Sequence, residues 1–343
     1  MLRGVASMLV VLLHITVNYE VNFGHKYLYN IFKFGFSGVD IFFVLSGFII
    51  SYANFHHLQQ PAAIGKFLKR RFIRIFPIYW LIITIFLILQ LSLPSFYQTH
   101  FDIGLTNVLK TYLLLPGHIM LNGVSWTLTN ELFFYLLFSV ALIIPNKKYS
   151  FFLLIAYFIF LILFSITAPV VTNVNPYIGM LFFPMNIEFF LGVFIVIIIN
   201  RLSKKWIYPL LVSGILLFLT SAYLSNNGVT VVSSSSNLAL NRVLLFGIPS
   251  FLIILALVKM ELGKTINMHN IFLRLGDASY SIYLIHLPFV AAFFKVLAKF
   301  SISNSLVLFL LTCFLCIIIC TAAIFIYHKI EKPLIKKLNI LLL

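Results

Sequence analysis

Charge is scarce in this chain, and acidic charge scarcer still: 9% of its 343 residues are charged, and 8 aspartates and glutamates face 24 lysines and arginines. With 62% hydrophobic residues beside so little charge, an ordinary soluble domain is excluded. No Walker phosphate loop, no G-x-G-x-x-G dinucleotide fingerprint, no zinc-ligand spacing and no G-x-S-x-G nucleophile elbow occurs. Any chemistry must therefore come from residues set inside apolar segments. No internal repeat and no Gly/Ser-rich linker divides the sequence, which reads as a single domain over 1–343. The three cysteines, Cys313, Cys316 and Cys320, share one apolar run at spacings of three and four. That places them on one helical face, which argues for helix packing and against a disulfide framework or a metal site.

What the sequence does have is apolar runs of membrane-crossing length, repeated along nearly the whole chain. They predict an all-α, polytopic integral membrane protein with ten helices, at about 4 to 20, 38 to 54, 73 to 93, 124 to 144, 150 to 168, 178 to 199, 206 to 224, 238 to 258, 277 to 298 and 304 to 327. The first run lacks a small-x-small cleavage site and is expected to remain as a membrane helix rather than a secretory signal. Only two residues precede Arg3, a short cytoplasmic lead, so a few upstream residues are expected in the natural protein. No soluble tail is expected after Leu343.

The net charge of +16 would point to nucleic acid in a soluble protein; here the basic residues occupy short connections and read as topology signals, with the lipid bilayer as partner. Counted by side, 18 lysines and arginines fall with HHLQQPAAIGKFLKRRFIR, PNKK, NRLSKK, KMELGKTINMHN, HKIEKPLIKK, Arg3 and Arg274. The other side holds 6: Lys26, Lys33, Lys110, Arg242, Lys295 and Lys299. This bias predicts that both termini are cytoplasmic.

Three acidic residues, Asp40, Glu131 and Glu188, lie inside or at the edge of apolar runs, where each must be paired, protonated or turned to a watery cavity. Asp40 sits in GFSGVDIFFVLSGFII among small residues that permit close backbone approach. Glu131 sits in SWTLTNELFFYLLF. Both are open to a catalytic or a helix-bridging reading, whereas Glu188 and His286, the latter in LGDASYSIYLIHLP, read as buried packing groups. Arg3 and His14 carry more information as a pair. Eleven residues bring them back to within about 20° of one face and separate them by about 16 Å. One helix face thus carries a cation near the cytoplasmic surface and an imidazole near mid-membrane, where a neutral ring is a candidate general base. The run KFLKRRFIRIFPIYW offers Arg70, Arg71 and Arg74 at helical neighbour spacing, either as a positive-inside anchor or as a clamp for the phosphates of a cytoplasmic nucleotide-like donor.

These elements resemble the acyltransferase 3 family of membrane-bound acyltransferases. The resemblance rests on Arg3 and His14 with ten residues between them, on GVDIFFVLSGFII (Gly38 to Ile50), RRFIRIFPIYW (Arg70 to Trp80), SWTLTNELFFYLLF (Ser125 to Phe138) and SYSIYLIHLP (Ser279 to Pro288), and on a closing EKP (Glu331 to Pro333). Two of these spellings are similar to the exopolysaccharide O-acetyltransferase branch. The resemblance implies an acyl-CoA donor, usually acetyl-CoA, with no metal, and a bacterial cytoplasmic-membrane location. As acceptor it implies a cell-surface polysaccharide or its lipid-linked precursor, with polysaccharide-synthesis proteins as partners and no nucleic acid. It implies His14 as catalytic, Arg3, Arg70, Arg71 and Arg74 as donor-binding, and Glu131 and Asp40 as carboxylates that orient the histidine or bind acceptor. The extracytoplasmic SGNH-type domain of some members is absent from this sequence, so transfer is expected to finish in the membrane domain or pass to a separate partner. The long segment from Pro94 to Gly123 is a candidate lid or sugar platform. The rival readings are a transporter or flippase of lipid-linked saccharide, which suits scattered intramembrane charge but gives no reason for the ordered Arg-His and RRxxR elements, and a structural subunit of polysaccharide synthesis.

Overall fold

A computed structural model describes residues 1–54, 60–93, 101–144, 146–167, 175–228, 240–264, 269–300 and 304–342. Along the chain the helices are α1 (Leu2–Phe23), α2 (Gly38–Asn54), α3 (Ala63–Ser92), α4 (Leu105–Tyr112), α5 (Trp126–Ile143), α6 (Lys147–Thr167) and α7 (Pro176–Leu181). They continue as α8 (Asn186–Ile198), α9 (Ile207–Asn226), α10 (Ile248–Leu262), α11 (Asn270–Asp277), α12 (Ser279–Leu297), α13 (Ser305–Ile326) and α14 (Lys332–Leu342). Among the described residues there is no strand, and 10 helical stretches are long and apolar enough to cross a membrane. The chain is thus the all-α, multi-pass membrane protein that its apolar runs predict. Residues 94–100 of the candidate lid, most of PVVTNVNP and of SNNGVTVVSSSSN, and the turn at Ser301 lie outside the described residues.

Several expected helix limits move, the last helix running on from Ile326 to Leu342, and two of the changes have a clear local reason. The third helix begins at Ala63 rather than near residue 73, because lysine and arginine are good helix formers and the basic run simply continues the helix. Thirty residues make it about 45 Å long against a hydrocarbon core of about 30 Å, so part of it must project beyond the apolar layer. The expected single helix at 178 to 199 is broken into α7 and α8 at Pro184, which has no N–H to continue the ladder. Asn186 Nδ2 spans the break by donating to the Met180 carbonyl at 2.7 Å.

The chain folds as two compact units. The first comprises Met1–Gly38, Lys69–Thr129 and His269–Leu343; the second comprises Val39–Leu68 and Asn130–Met268. In the first unit, α1 buries Gly4, Ser7, Val11 and Ile15, a three-and-four spacing that makes one continuous face. It ends at Gly24, whose φ of 72° allows its N–H to close on the Glu20 carbonyl. The chain then doubles back so tightly that a Cβ at Gly35 or Gly38 would stand 2.1 or 2.2 Å from the carbonyl oxygens of Leu9 and Ala6.

The second unit is organised around a buried ion pair. Arg242 donates through Nε and Nη2 to both oxygens of Asp40, at 2.8 to 3.1 Å, with the two side chains 6% and 0% exposed. Glu188, also fully buried, lies beside them. Glycines let the backbones close around this group: a Cβ at Gly47 would meet the Phe189 carbonyl oxygen at 2.0 Å, and one at Gly247 would meet Glu188 Oε1 at 2.9 Å. Arg242, counted above among the loop cations, is therefore a core residue whose position is set by its carboxylate partner.

Two outcomes follow from this packing. Gly38→Val forces a side chain into the α1 backbone and costs at least about 2 kcal/mol, read as a lower Tm of the purified protein in detergent, while Gly65→Ala, with nothing within 4 Å of its Cβ, leaves Tm unchanged or raised. Arg242→Met strands the Asp40 carboxylate and lowers stability by about 3–5 kcal/mol, whereas combining it with Asp40→Asn recovers most of the loss.

Candidate active site

His14 projects from the middle of α1, half-buried, and the side chain beside it is His286 of α12. The two imidazole ring centroids are 5.1 Å apart and their planes are inclined by 43°. Helix packing produces this meeting. A Cβ on Gly4 would stand 3.0 Å from the backbone of both Leu275 and Gly276, so the absence of a side chain at Gly4 brings the start of α1 against the α11–α12 junction. The two chain segments then run in parallel: ten residues beyond Gly4 and ten beyond Gly276 stand His14 and His286.

His286 is fully buried. Its Nδ1 lies 3.2 Å from the carbonyl of Ile282, one turn back, and its Nε2 has no hydrogen-bond partner among the described residues. Tyr283 braces the ring at 5.8 Å, with its hydroxyl held by Thr127 Oγ1 at 2.8 Å and the Val124 carbonyl at 3.1 Å. One turn beyond Leu284, Pro288 has no N–H to offer that residue's carbonyl. Asn122 Nδ2 donates to it instead, at 3.1 Å.

The arginine set belongs to the same unit. Arg3 lies in the first turn of α1, and Arg70, Arg71 and Arg74 follow one another on α3, with Arg70 exposed and the other two half-buried. Arg74 is committed: its Nη1 donates to Glu331 Oε1 at 2.7 Å, and the second oxygen of that fully buried carboxylate accepts from Ser281 Oγ at 2.7 Å. Tyr280, whose ring lies under the Arg74 guanidinium, donates its hydroxyl to the Ile75 carbonyl at 3.0 Å. The arginine-bearing helix is thereby tied to the start of α12, five residues, or about 7.5 Å of rise, before His286.

The two candidate carboxylates lie in the second unit, where each has partners. Asp40 is taken up by Arg242, as described. Glu131, half-buried on α5, accepts from Ser46 Oγ at 3.2 Å and Tyr135 Oη at 2.6 Å through Oε1. At the end of α1 opposite Arg3, a cavity of about 460 Å³ is lined by Tyr19, Lys26, Tyr27, Tyr29 and Phe309, among others. Leu28, Tyr29 and Asn30 have φ of 42°, 55° and 62°, each in the left-handed region at a cost on the order of 1 kcal/mol, and the Tyr29 side chain is left 95% exposed.

The sequence names His14 and the arginines as candidates, and the structure carries them in one compact unit; the sequence marks His286 as a packing group and gives no role to Glu331. The signals were present in SYSIYLIHLP and EKP. What hid their partners was separation along the chain, 257 residues between Arg74 and Glu331.

Three comparisons bear on this geometry. A family model described as an acyltransferase domain matches residues 1–325. The exopolysaccharide production protein ExoZ of Rhizobium meliloti (strain 1021) is 28% identical over 264 residues, which cover 74% of this chain and 76% of that protein. No solved structure matches. Ten candidate membrane spans among the described residues, a first helix bearing Arg3 and His14, and a family match over almost the entire length agree: the chain belongs to the acyltransferase 3 family.

Proposed function

We propose that this protein is an O-acyltransferase of the bacterial cytoplasmic membrane, with both termini cytoplasmic. It moves an acyl group, acetyl in the first instance, from cytoplasmic acyl-CoA to a hydroxyl of an exported polysaccharide or its lipid-linked precursor. The observation that carries the reading is the union, in one compact unit, of the arginine set with the half-buried imidazole of His14. The name of the similar ExoZ protein supports a polysaccharide acceptor.

In this reading Arg3, Arg70 and Arg71 meet the phosphates of CoA, since guanidinium groups bind phosphate in bidentate fashion. Arg74, held by Glu331, fixes the clamp to α12. The pantetheine arm runs along α1 over a rise of about 16 Å to His14. There the imidazole takes the proton of the acceptor hydroxyl as its oxygen attacks the thioester carbonyl. The C–O bond forms, the C–S bond breaks, and the proton passes to the departing CoA thiolate. Glu131 is retained as an acceptor-side carboxylate and Asp40, paired with Arg242, as a positioning residue. The tyrosine-lined cavity at the far end of α1 suits a saccharide, because aromatic rings offer flat apolar faces with polar tips.

His14→Ala abolishes acetyl incorporation from labelled acetyl-CoA into the glycan while the protein remains in the membrane; normal incorporation would sink the reading. Arg71→Ala raises KM for acetyl-CoA about tenfold or more, the loss of one charge-assisted phosphate contact. Arg74→Ala instead lowers Tm, because it strands the buried Glu331, and Glu331→Gln in the same chain restores part of it.

A further inference from the structure

We propose that His286 is the positioning residue for His14, receiving a ring N–H of His14 on its own Nε2 and so presenting the opposite nitrogen of His14 to the acceptor hydroxyl. The proposal rests on the acyl-transfer reading above and names a partner for its base that lies on neither Asp40 nor Glu131.

Three observations carry it. The first is the orphaned atom. A neutral imidazole has one donor and one acceptor nitrogen. A carbonyl can only accept, so the contact of Nδ1 with the Ile282 carbonyl puts the ring proton on Nδ1 and leaves Nε2 a bare acceptor. That acceptor is shielded from solvent in a side chain 0% exposed and has no partner among the described residues. Buried polar atoms without partners are rare, and those that persist in native structures call for an explanation. The second is the neighbour. His14 is the ring beside it, at 5.1 Å between centroids, a distance from which rotation about the side-chain bonds alone brings ring nitrogens within hydrogen-bond reach. The third is rigidity. Tyr283 braces His286, its hydroxyl doubly bonded to the segment around Val124 and Thr127, and Asn122 occupies the carbonyl left open by Pro288. A ring held in this way sets the orientation of its half-buried neighbour.

The proton accounting closes with no further reactant. His14 accepts the proton of the acceptor O–H on its exposed nitrogen as the C–O bond forms, and its other N–H remains bonded to His286 Nε2. The imidazolium so formed is stabilised by the neutral acceptor ring. It returns the same proton to the CoA thiolate when the C–S bond breaks, and His286 is neither protonated nor consumed.

The test uses the full chain in detergent or nanodiscs with His286→Leu and His286→Gln. Removing a buried orphan in favour of an apolar side chain is neutral or stabilising for the fold, so His286→Leu is expected to keep or raise Tm. Its kcat is expected to fall by about 100-fold with KM for acetyl-CoA changed less than twofold. His286→Gln, whose Oε1 places an acceptor near the site of Nε2, is expected to recover about tenfold of that loss. Carbethoxylation of His14 by diethylpyrocarbonate, read by peptide mass spectrometry, is expected to slow at least threefold in His286→Leu, because His14 loses the acceptor that enriches its exposed nitrogen. Wild-type kcat and wild-type His14 modification in a folded His286→Leu protein would overturn the proposal, as would a Gln variant no better than Leu. Slowed modification of His14 in a protein whose wild-type form releases no CoA would uphold the pairing and remove the acyl-transfer reading instead.

Discussion

An ionisable side chain within hydrocarbon has no water to solvate it and must find its counterpart on another helix. Three of the contacts between distant helices answer that demand. Asp40 and Arg242 join in the second unit, Arg74 and Glu331 in the first, and His14 and His286 face one another along parallel segments. Between helices that are uniformly apolar, lipid and protein are nearly equivalent partners, so dispersion alone defines the register weakly. Buried polar groups define it sharply, because sliding one helix by a single turn leaves two of them unmatched.

Glycine makes those meetings geometrically possible. Where a polar pair must form across two helices, backbones close to within a distance that a Cβ would block: Gly4 against the α11–α12 junction, Gly47 against Phe189, and Gly247 against the Glu188 carboxyl. The small residues and the charged ones are thus two parts of one device. The first sets the separation of the helices, and the second sets their rotation and register.

The architecture was legible in the sequence because it is written in local terms. A run of about 20 apolar residues requires no knowledge of the rest of the chain to be read as a span. The helical face shared by Arg3 and His14 likewise follows from periodicity within one segment. The extension of α3 back to Ala63 has no apolar onset to mark it, because lysine and arginine, good helix formers, carry the helix beyond the apolar layer. The partners were not legible at all. Arg242 reads as one more loop cation until a carboxylate 202 residues away is found to hold it. His286 reads as a packing residue until the parallel register of two helices is known. Pairing across sequence separations of this size is a property of the folded chain, with no periodic signature in either segment.

Pro288 gives α12 a property that an unbroken helix would lack. Its missing N–H leaves the Leu284 carbonyl to a side chain from another part of the chain, Asn122, at the level of the imidazole pair. An α-helix ordinarily closes its own ladder and is stiff on its own account. Here one rung is supplied from outside, so the stretch of α12 that holds His286 and the segment around Asn122 form one mechanical piece. A displacement of either is felt by the other without any change in the apolar packing between them. The linkage makes the connection before α5 part of the scaffold that holds the imidazole pair, as much as the membrane helices it joins.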